Sequence, residues 1–466
     1  MRKNAIILMW TFIWVVGFMY LTMAFPSGLE NSVSASYIVL LLSLAYVGIL
    51  MFLVYHRYGI DVIEPVTIYA FLHILLFNIY PLVLIISDRY TFHGIDVIGG
   101  CIKGTLIANG SFAFFLLGYY SKRKKAILRF EKVEFFLKIE KDALGKKLGI
   151  AYIIWGFCFL ASIVYLLQTG KSLIYIFTLG QSGEISTTND NVAMKFLTNF
   201  GYAMVTGCLY IFYYEKRKPL KYGVIVLTMM MYLLRGFRFI MVALALALAA
   251  MHCIREKRRP KLRWIILSVV VAVLLLSVIG EMRNGVRSGS TSDFSISEST
   301  SLESIDYMLY SNLNIVQPYY AMVEKIPSQY PHTYGMSMIV EPLIMFVPRA
   351  LWQGKPTSDS AAVISSMTKC MGANVGEKYG LAVPYLAEIY CDFGIIGCCI
   401  LMLLLGMFLN HLKALLYVKK PSADDIVLYS VIYGILFQFI IRGYMPSNFW
   451  ILAFMLIPVF IMRRVR

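Results

Sequence analysis

Long apolar runs separated by short polar segments dominate the chain, and their lengths set its architecture. An α-helix needs about 20 apolar residues to cross the hydrocarbon core of a bilayer. Runs near that length occupy residues 5–24, 36–55, 65–87, 97–119, 148–168, 193–214, 263–280, 393–416, 425–441 and 448–462. A further stretch, 222–253, is interrupted by Arg235-Gly236-Phe237-Arg238. As one span it would hold two arginines at mid-depth, which costs several kcal/mol. As two short helices, 222–234 and 239–253, it returns both arginines to a surface. The pattern predicts an all-α polytopic membrane protein of about twelve transmembrane helices. Residues 1–280 carry the first nine, 281–392 form one large polar loop, and 393–466 carry the last three.

Charge supports the threading. With the N-terminus inside, the cytoplasmic segments are 120–147 with ten Lys/Arg, 215–221 with four, 254–263 with six, and the tail with Arg463, Arg464 and Arg466. The outer segments 25–35, 169–192 and 443–447 carry none, one and none. This is the asymmetry of the positive-inside rule. One uninterrupted span over 222–253 would put the two basic segments flanking it on opposite sides. Both termini are then expected in the cytoplasm and the 281–392 loop outside. Within that loop, 336–348 is apolar but too short to span, so an interfacial or re-entrant segment is expected there. The run at 5–24 is long for a signal-peptide core and Phe25-Pro26-Ser27 is a poor cleavage context, so a retained first helix is expected.

Composition narrows the function. The chain is 59% hydrophobic and 15% charged, more apolar surface than a soluble fold of 466 residues can hide. The net charge of +17 belongs to topology and not to a nucleic-acid partner. The eight cysteines form no CxxC and imply neither a disulfide framework nor a metal site. No Walker loop, dinucleotide fingerprint or HExxH occurs, so no cofactor and no metal is expected. In the spans, His73, Asn78 and Asn109 are the main polar residues, without a carboxylate at mid-depth. Coupled transporters use such carboxylates.

The outer side supplies the candidate chemistry. Arg235, Arg238, Arg283 and Arg442 lie at the ends of three predicted spans, with Arg287 and Arg349 nearby. Guanidinium stays charged and grips phosphate oxygens bidentately, so an anionic diphosphate at that level would account for them; headgroup snorkelling is the plain alternative. Glu388 and His332 are the candidate bases, Glu341 a weaker one. For Glu388 a salt bridge orienting an arginine is an equal alternative. Trp352, Tyr319, Tyr320, Tyr330, Tyr334 and Tyr379 offer rings for sugar stacking or for an interfacial belt.

Three patches resemble the oligosaccharide repeat-unit polymerases, the Wzy-type O-antigen and capsule polymerases. They are Leu234-Arg235-Gly236-Phe237-Arg238, Phe346-Val347-Pro348-Arg349-Ala350-Leu351-Trp352-Gln353-Gly354-Lys355-Pro356, and Ala387-Glu388-Ile389-Tyr390-Cys391-Asp392-Phe393-Gly394-Ile395-Ile396-Gly397. The second differs from the family pattern at Gln353, where proline is common, and the first lacks the preceding serine. The resemblance implies a GT-C-like, metal-independent glycosyltransferase in the bacterial plasma (inner) membrane. It would transfer a glycan from undecaprenyl diphosphate to a lipid-linked repeat unit on the outer face. Its partners would be undecaprenyl-diphosphate-linked oligosaccharides, membrane lipids and a chain-length regulator. An O-antigen ligase and a flippase for lipid-linked sugars are the alternatives.

Overall fold

The structure, a computed structural model, describes residues 10, 13, 33–59, 61–92, 94–121, 141–168, 192–235, 237–256, 260, 263, 310, 313–344, 347, 352–354, 362–372, 383–416 and 421–465. These are almost wholly helical: α1 Val33–Tyr58, α2 Pro65–Ile86, α3 Ile98–Tyr119, α4 Lys141–Gln168, α5 Val192–Tyr214, α6 Lys218–Leu234, α7 Arg238–Glu256, α8 Gln317–Lys325, α9 Ala362–Met371, α10 Tyr385–Leu415, α11 Ala423–Ile441 and α12 Met445–Arg464. Eight of them, α1, α2, α3, α4, α7, α10, α11 and α12, are long and apolar enough to cross a membrane. Helix α6 ends at Leu234 and α7 begins at Arg238. Apart from residues 10, 13 and 263, the predicted spans 5–24 and 263–280 lie outside the described residues, as does 281–309.

The chain divides into two compact units. The first comprises Met1–Lys132, Leu313–Val418 and Phe439–Asn448. Its frame is α3 crossed by α10, and glycines permit the close approach. A Cβ at Gly118 would overlap the Leu403 carbonyl, and one at Gly406 the Phe115 carbonyl. Small residues at a crossing let helix backbones meet where lipid supplies no hydrophobic drive.

The described part of the predicted outer segment holds a buried helix. Helix α8 buries Gln317 to Val323 completely against α2 and α3. Gly100 and Gly104, one turn apart on α3, leave room for it: the Tyr320 backbone fills the space over Gly100, and the Tyr319 and Tyr320 rings fill that over Gly104. The Tyr319 hydroxyl donates to the Gly104 carbonyl at 3.0 Å, and Gln317 Nε2 donates to Tyr80 Oη at 3.0 Å. The Tyr320 hydroxyl reaches the Leu76 carbonyl at 3.5 Å. That carbonyl is free for a reason. Helix α2 widens into a π turn at Leu75–Ile79, where the Tyr80 N–H bonds Leu75 and bypasses Leu76, and Pro81 has no N–H to offer. In an apolar surrounding such freed groups are met by neighbouring side chains. Residues 336–344, expected as the interfacial or re-entrant piece, form a π turn Met336–Val340 and one helical turn Glu341–Ile344, with Met336, Ile339 and Leu343 exposed.

Helix α10 starts at Tyr385, eight residues before the predicted span, and breaks at Gly394 (φ 62°, ψ −159°). Its first two turns therefore bury two carboxylates, Glu388 and Asp392. Both lie ahead of the predicted span 393–416, in the helix's first two turns and not at its middle.

The second unit comprises Val133–Asn312, Lys419–Gln438 and Phe449–Arg466. Its core is α4 against α5, joined by α6, where Trp155 Nε1 donates to Thr228 Oγ1 at 2.8 Å. Charge pairs tie the ends of its helices: Lys147 to Asp424 at 3.1 Å, with Tyr210 donating to the same carboxylate at 2.9 Å, and Arg463 to Asp425 at 2.8 Å.

Candidate functional site

Within the first unit, the break at Gly394 builds the site. In an unbroken helix the Tyr390 and Cys391 carbonyls would accept from N–H groups four residues on. The glycine turns the chain away, and the segment Pro331–Val340 supplies donors instead. His332 Nδ1 lies 3.1 Å from the Tyr390 carbonyl and 3.2 Å from that of Cys391. The Thr333 N–H donates to Cys391 O at 3.0 Å and the Tyr334 N–H to Asp392 O at 3.1 Å. Carbonyls only accept, so Nδ1 carries the proton, and in the neutral ring the lone pair sits on Nε2. That edge of the half-buried ring lies over Gly394: a Cβ there would stand 3.1 Å from Cε1 and Nε2.

Glu388 is 1% exposed and both its oxygens are occupied. Oε1 accepts from the Ser337 hydroxyl, and Oε2 accepts from the Met445 N–H at 2.8 Å, the first residue of α12. A carboxylate at a helix N-terminus is stabilised by the dipole and the open N–H groups. Gly443 makes this approach possible, since a side chain there would overlap Tyr385 Cα; its N–H donates to Val383 O at 2.8 Å. The arginine-orienting salt bridge considered for Glu388 is thus replaced, among the described residues, by a hydroxyl and a helix end. Asp392, which sequence reasoning passes over, accepts from Thr333 Oγ1, from the Ser337 N–H at 3.4 Å and from the Met338 N–H at 2.8 Å. The signal for it is the spacing: two acids four residues apart on one helical face, with Gly two positions further on.

Glu341 is half-buried and accepts from the Ala362 N–H at 2.5 Å. Burial raises its carboxyl above the ordinary value, and the Asp392 charge pushes the same way, against the Ala362 N–H and the Tyr444 hydroxyl. Burial likewise raises the Tyr444 phenol, with the Glu341 and Glu388 charges adding to it. Arg442 is exposed, three residues from the N–H that holds Glu388, and its carbonyl accepts from Asn448 Nδ2 at 2.5 Å. The first unit thereby gathers His332, Glu388, Glu341 and Arg442 at one end of α10.

A family model described as O-antigen polysaccharide polymerase Wzy matches residues 5–466. The chain belongs to this family. Comparisons with curated proteins and with solved structures found no match. Polymerases of this kind build polysaccharide from O-antigen repeat units, and the membrane-crossing helices agree with a multi-pass membrane protein.

The remaining predicted residues of this polymerase fall elsewhere. In the second unit Arg235 is 1% exposed, its Nη1 donating to Ser162 Oγ at 3.0 Å and its guanidinium lying 4.5 Å from the Phe237 ring and 5.4 Å from that of Tyr165. Gly201 cradles it, since a Cβ there would overlap Nη1. A hydroxyl and two ring faces thus hold the Arg235 guanidinium. Arg238, the first residue of α7, is half-buried. Arg283, Arg287 and Arg349 lie outside the described residues. Tyr319 and Tyr320 are fully buried and so offer no ring to a sugar, whereas Tyr334 is 78% exposed and Trp352 is exposed; Tyr330 is half-buried and Tyr379 lies outside the described residues.

Proposed function

We propose that the chain extends polysaccharide on the outer face of the bacterial plasma membrane. The acceptor sugar's hydroxyl oxygen attacks the anomeric carbon of the glycan carried on undecaprenyl diphosphate. The new C–O bond forms as the bond from that carbon to the diphosphate breaks. Undecaprenyl diphosphate leaves with the electron pair, and the hydroxyl proton passes to a base. No metal is required of the protein in this scheme, because the donor brings its own leaving group. The protein supplies a proton acceptor and cations for the departing charge.

His332 fits the base better than Glu388. The observation that carries this reading is its Nδ1 contact with two carbonyls, which leaves the Nε2 lone pair to accept. Glu388, with both oxygens engaged, fits the role of holding the start of α12 and so the turn that bears Arg442. Arg442 and Arg238, together with Arg283, Arg287 and Arg349, are the proposed grips on the diphosphate. Arg235 supports them by holding the turn that presents Arg238. The scheme assumes the twelve-span, GT-C-like threading with both termini in the cytoplasm and 281–392 outside, and a chain-length regulator as partner.

Deletion of the gene followed by glycan profiling tests it. Glycans of a single repeat unit are expected. Long polymer that accumulates unattached would make the chain a ligase, and loss of all exported repeat units would make it a flippase; either result overturns the proposal.

A further inference from the structure

We infer that Asp392 is the positioning residue of this site: its buried carboxylate clasps residues 333–338 to α10 and so aims the His332 ring. The inference rests on the proposal that His332 accepts the hydroxyl proton.

Asp392 is fully buried, and its two oxygens collect three donors from Thr333, Ser337 and Met338, the residues one, five and six places after His332. The two carbonyls that hold His332 Nδ1 belong to Tyr390 and Cys391, the residues directly before Asp392. One helical turn thus holds both the ring and the segment that carries it. Ser337 doubles the clasp, with its hydroxyl on Glu388 and its N–H on Asp392. An acid suits the place. Ser337 and Met338 open the turn Met336–Val340, where backbone N–H groups lack intrahelical acceptors, and a carboxylate offers acceptors only. Asparagine is the same size but turns an NH₂ toward one of the three donors. Among the described residues no hydrogen bond joins the Asp392 carboxylate to His332; its influence runs through the ring's position.

The test uses the full chain in lipid nanodiscs and lipid-linked repeat units extracted from a strain lacking the polymerase. Turnover and KM are measured for Asp392→Asn, Thr333→Val, His332→Ala and the two doubles with His332→Ala, alongside thermal midpoints. Small misplacements of a catalytic group cost up to about 100-fold in rate, so Asp392→Asn is expected to lower kcat by about 10- to 100-fold with KM changed less than about twofold. Thr333→Val should do the same more mildly. Each double should match His332→Ala within about twofold, because a residue acting through another adds nothing once that other is gone. Multiplied losses in the doubles, or a change in KM in place of kcat, would overturn the inference, as would full turnover in both Asp392→Asn and Thr333→Val beside an inactive His332→Ala. Full turnover in His332→Ala would instead sink the base assignment itself. If Asp392→Asn does not fold, Thr333→Val and its double decide the matter.

Discussion

Replacing Gly394 with alanine separates the part of the site made by the backbone from the part made by side chains. At φ 62° and ψ −159° this residue occupies a region that is essentially reserved for glycine. Holding an alanine there costs on the order of 1–3 kcal/mol. The new methyl would also stand 3.1 Å from His332 Cε1 and Nε2, inside the roughly 3.5–4.0 Å at which carbon atoms attract. The ring must then retreat, and its Nδ1 contacts at 3.1 and 3.2 Å have little length to give. Gly110 is the control: it sits in α3 with nothing within 4 Å of a Cβ, so alanine there should be neutral or stabilise by up to about 1 kcal/mol. Unfolding in nanodiscs should show Gly394→Ala below wild type by about 1–3 kcal/mol and Gly110→Ala at or above it. Polymer length on a gel should collapse only in Gly394→Ala. If Gly394→Ala unfolds with Gly110→Ala and still makes full-length polymer, the break does not need its glycine and the derivation of the site from it is wrong.

Two further substitutions test other parts of the fold. Gly201→Ala places a methyl on Arg235 Nη1, and should reproduce the polymerisation defect of Arg235→Ala without altering any charge; normal polymer in Gly201→Ala would mean the arginine's seat is dispensable. Lys413 and Glu64 form a buried pair at 2.9 Å, with Tyr119 donating to the same carboxylate at 3.2 Å. Lys413→Met strands a buried carboxylate and should cost about 3–5 kcal/mol of stability, while adding Glu64→Gln should recover much of it. A double variant no more stable than the single would show that the lysine stem matters and not its charge.

Most of the helical frame can be read from the chain, because span length and loop charge are local properties. Helices α1, α2, α3, α5 and α11 begin within about three residues of the predicted apolar runs. The failures are non-local. Nothing in Tyr319-Tyr320 tells that their rings need Gly104, over 200 residues earlier, so the buried helix within the polar segment goes unread. Arg235 looks exposed because it sits in a turn, and its seat is built by Ser162 and Gly201 on two other helices. The start of α10 is missed for a chemical reason. A hydropathy window stops at Glu388 and Asp392, yet these acids can be helical and buried since every carboxylate oxygen is met by a donor from 333–338 or from Met445.

That satisfaction also favours the imidazole over the two carboxylates as the proposed base. A general base needs an acceptor lone pair that the protein does not already use. Glu388 and Asp392 already hold hydroxyl and backbone N–H groups, and a proton taken by either would weaken the bonds that fasten 333–338 and the start of α12. His332 divides the duties between two nitrogens, one bonded to the helix and one left to accept. In the proposed scheme the acids therefore serve the architecture and the imidazole the chemistry. A variant series in which charge-neutral Glu388→Gln keeps more activity than His332→Gln follows directly from that division, and the reverse order, at equal membrane levels, would move the base to Glu388.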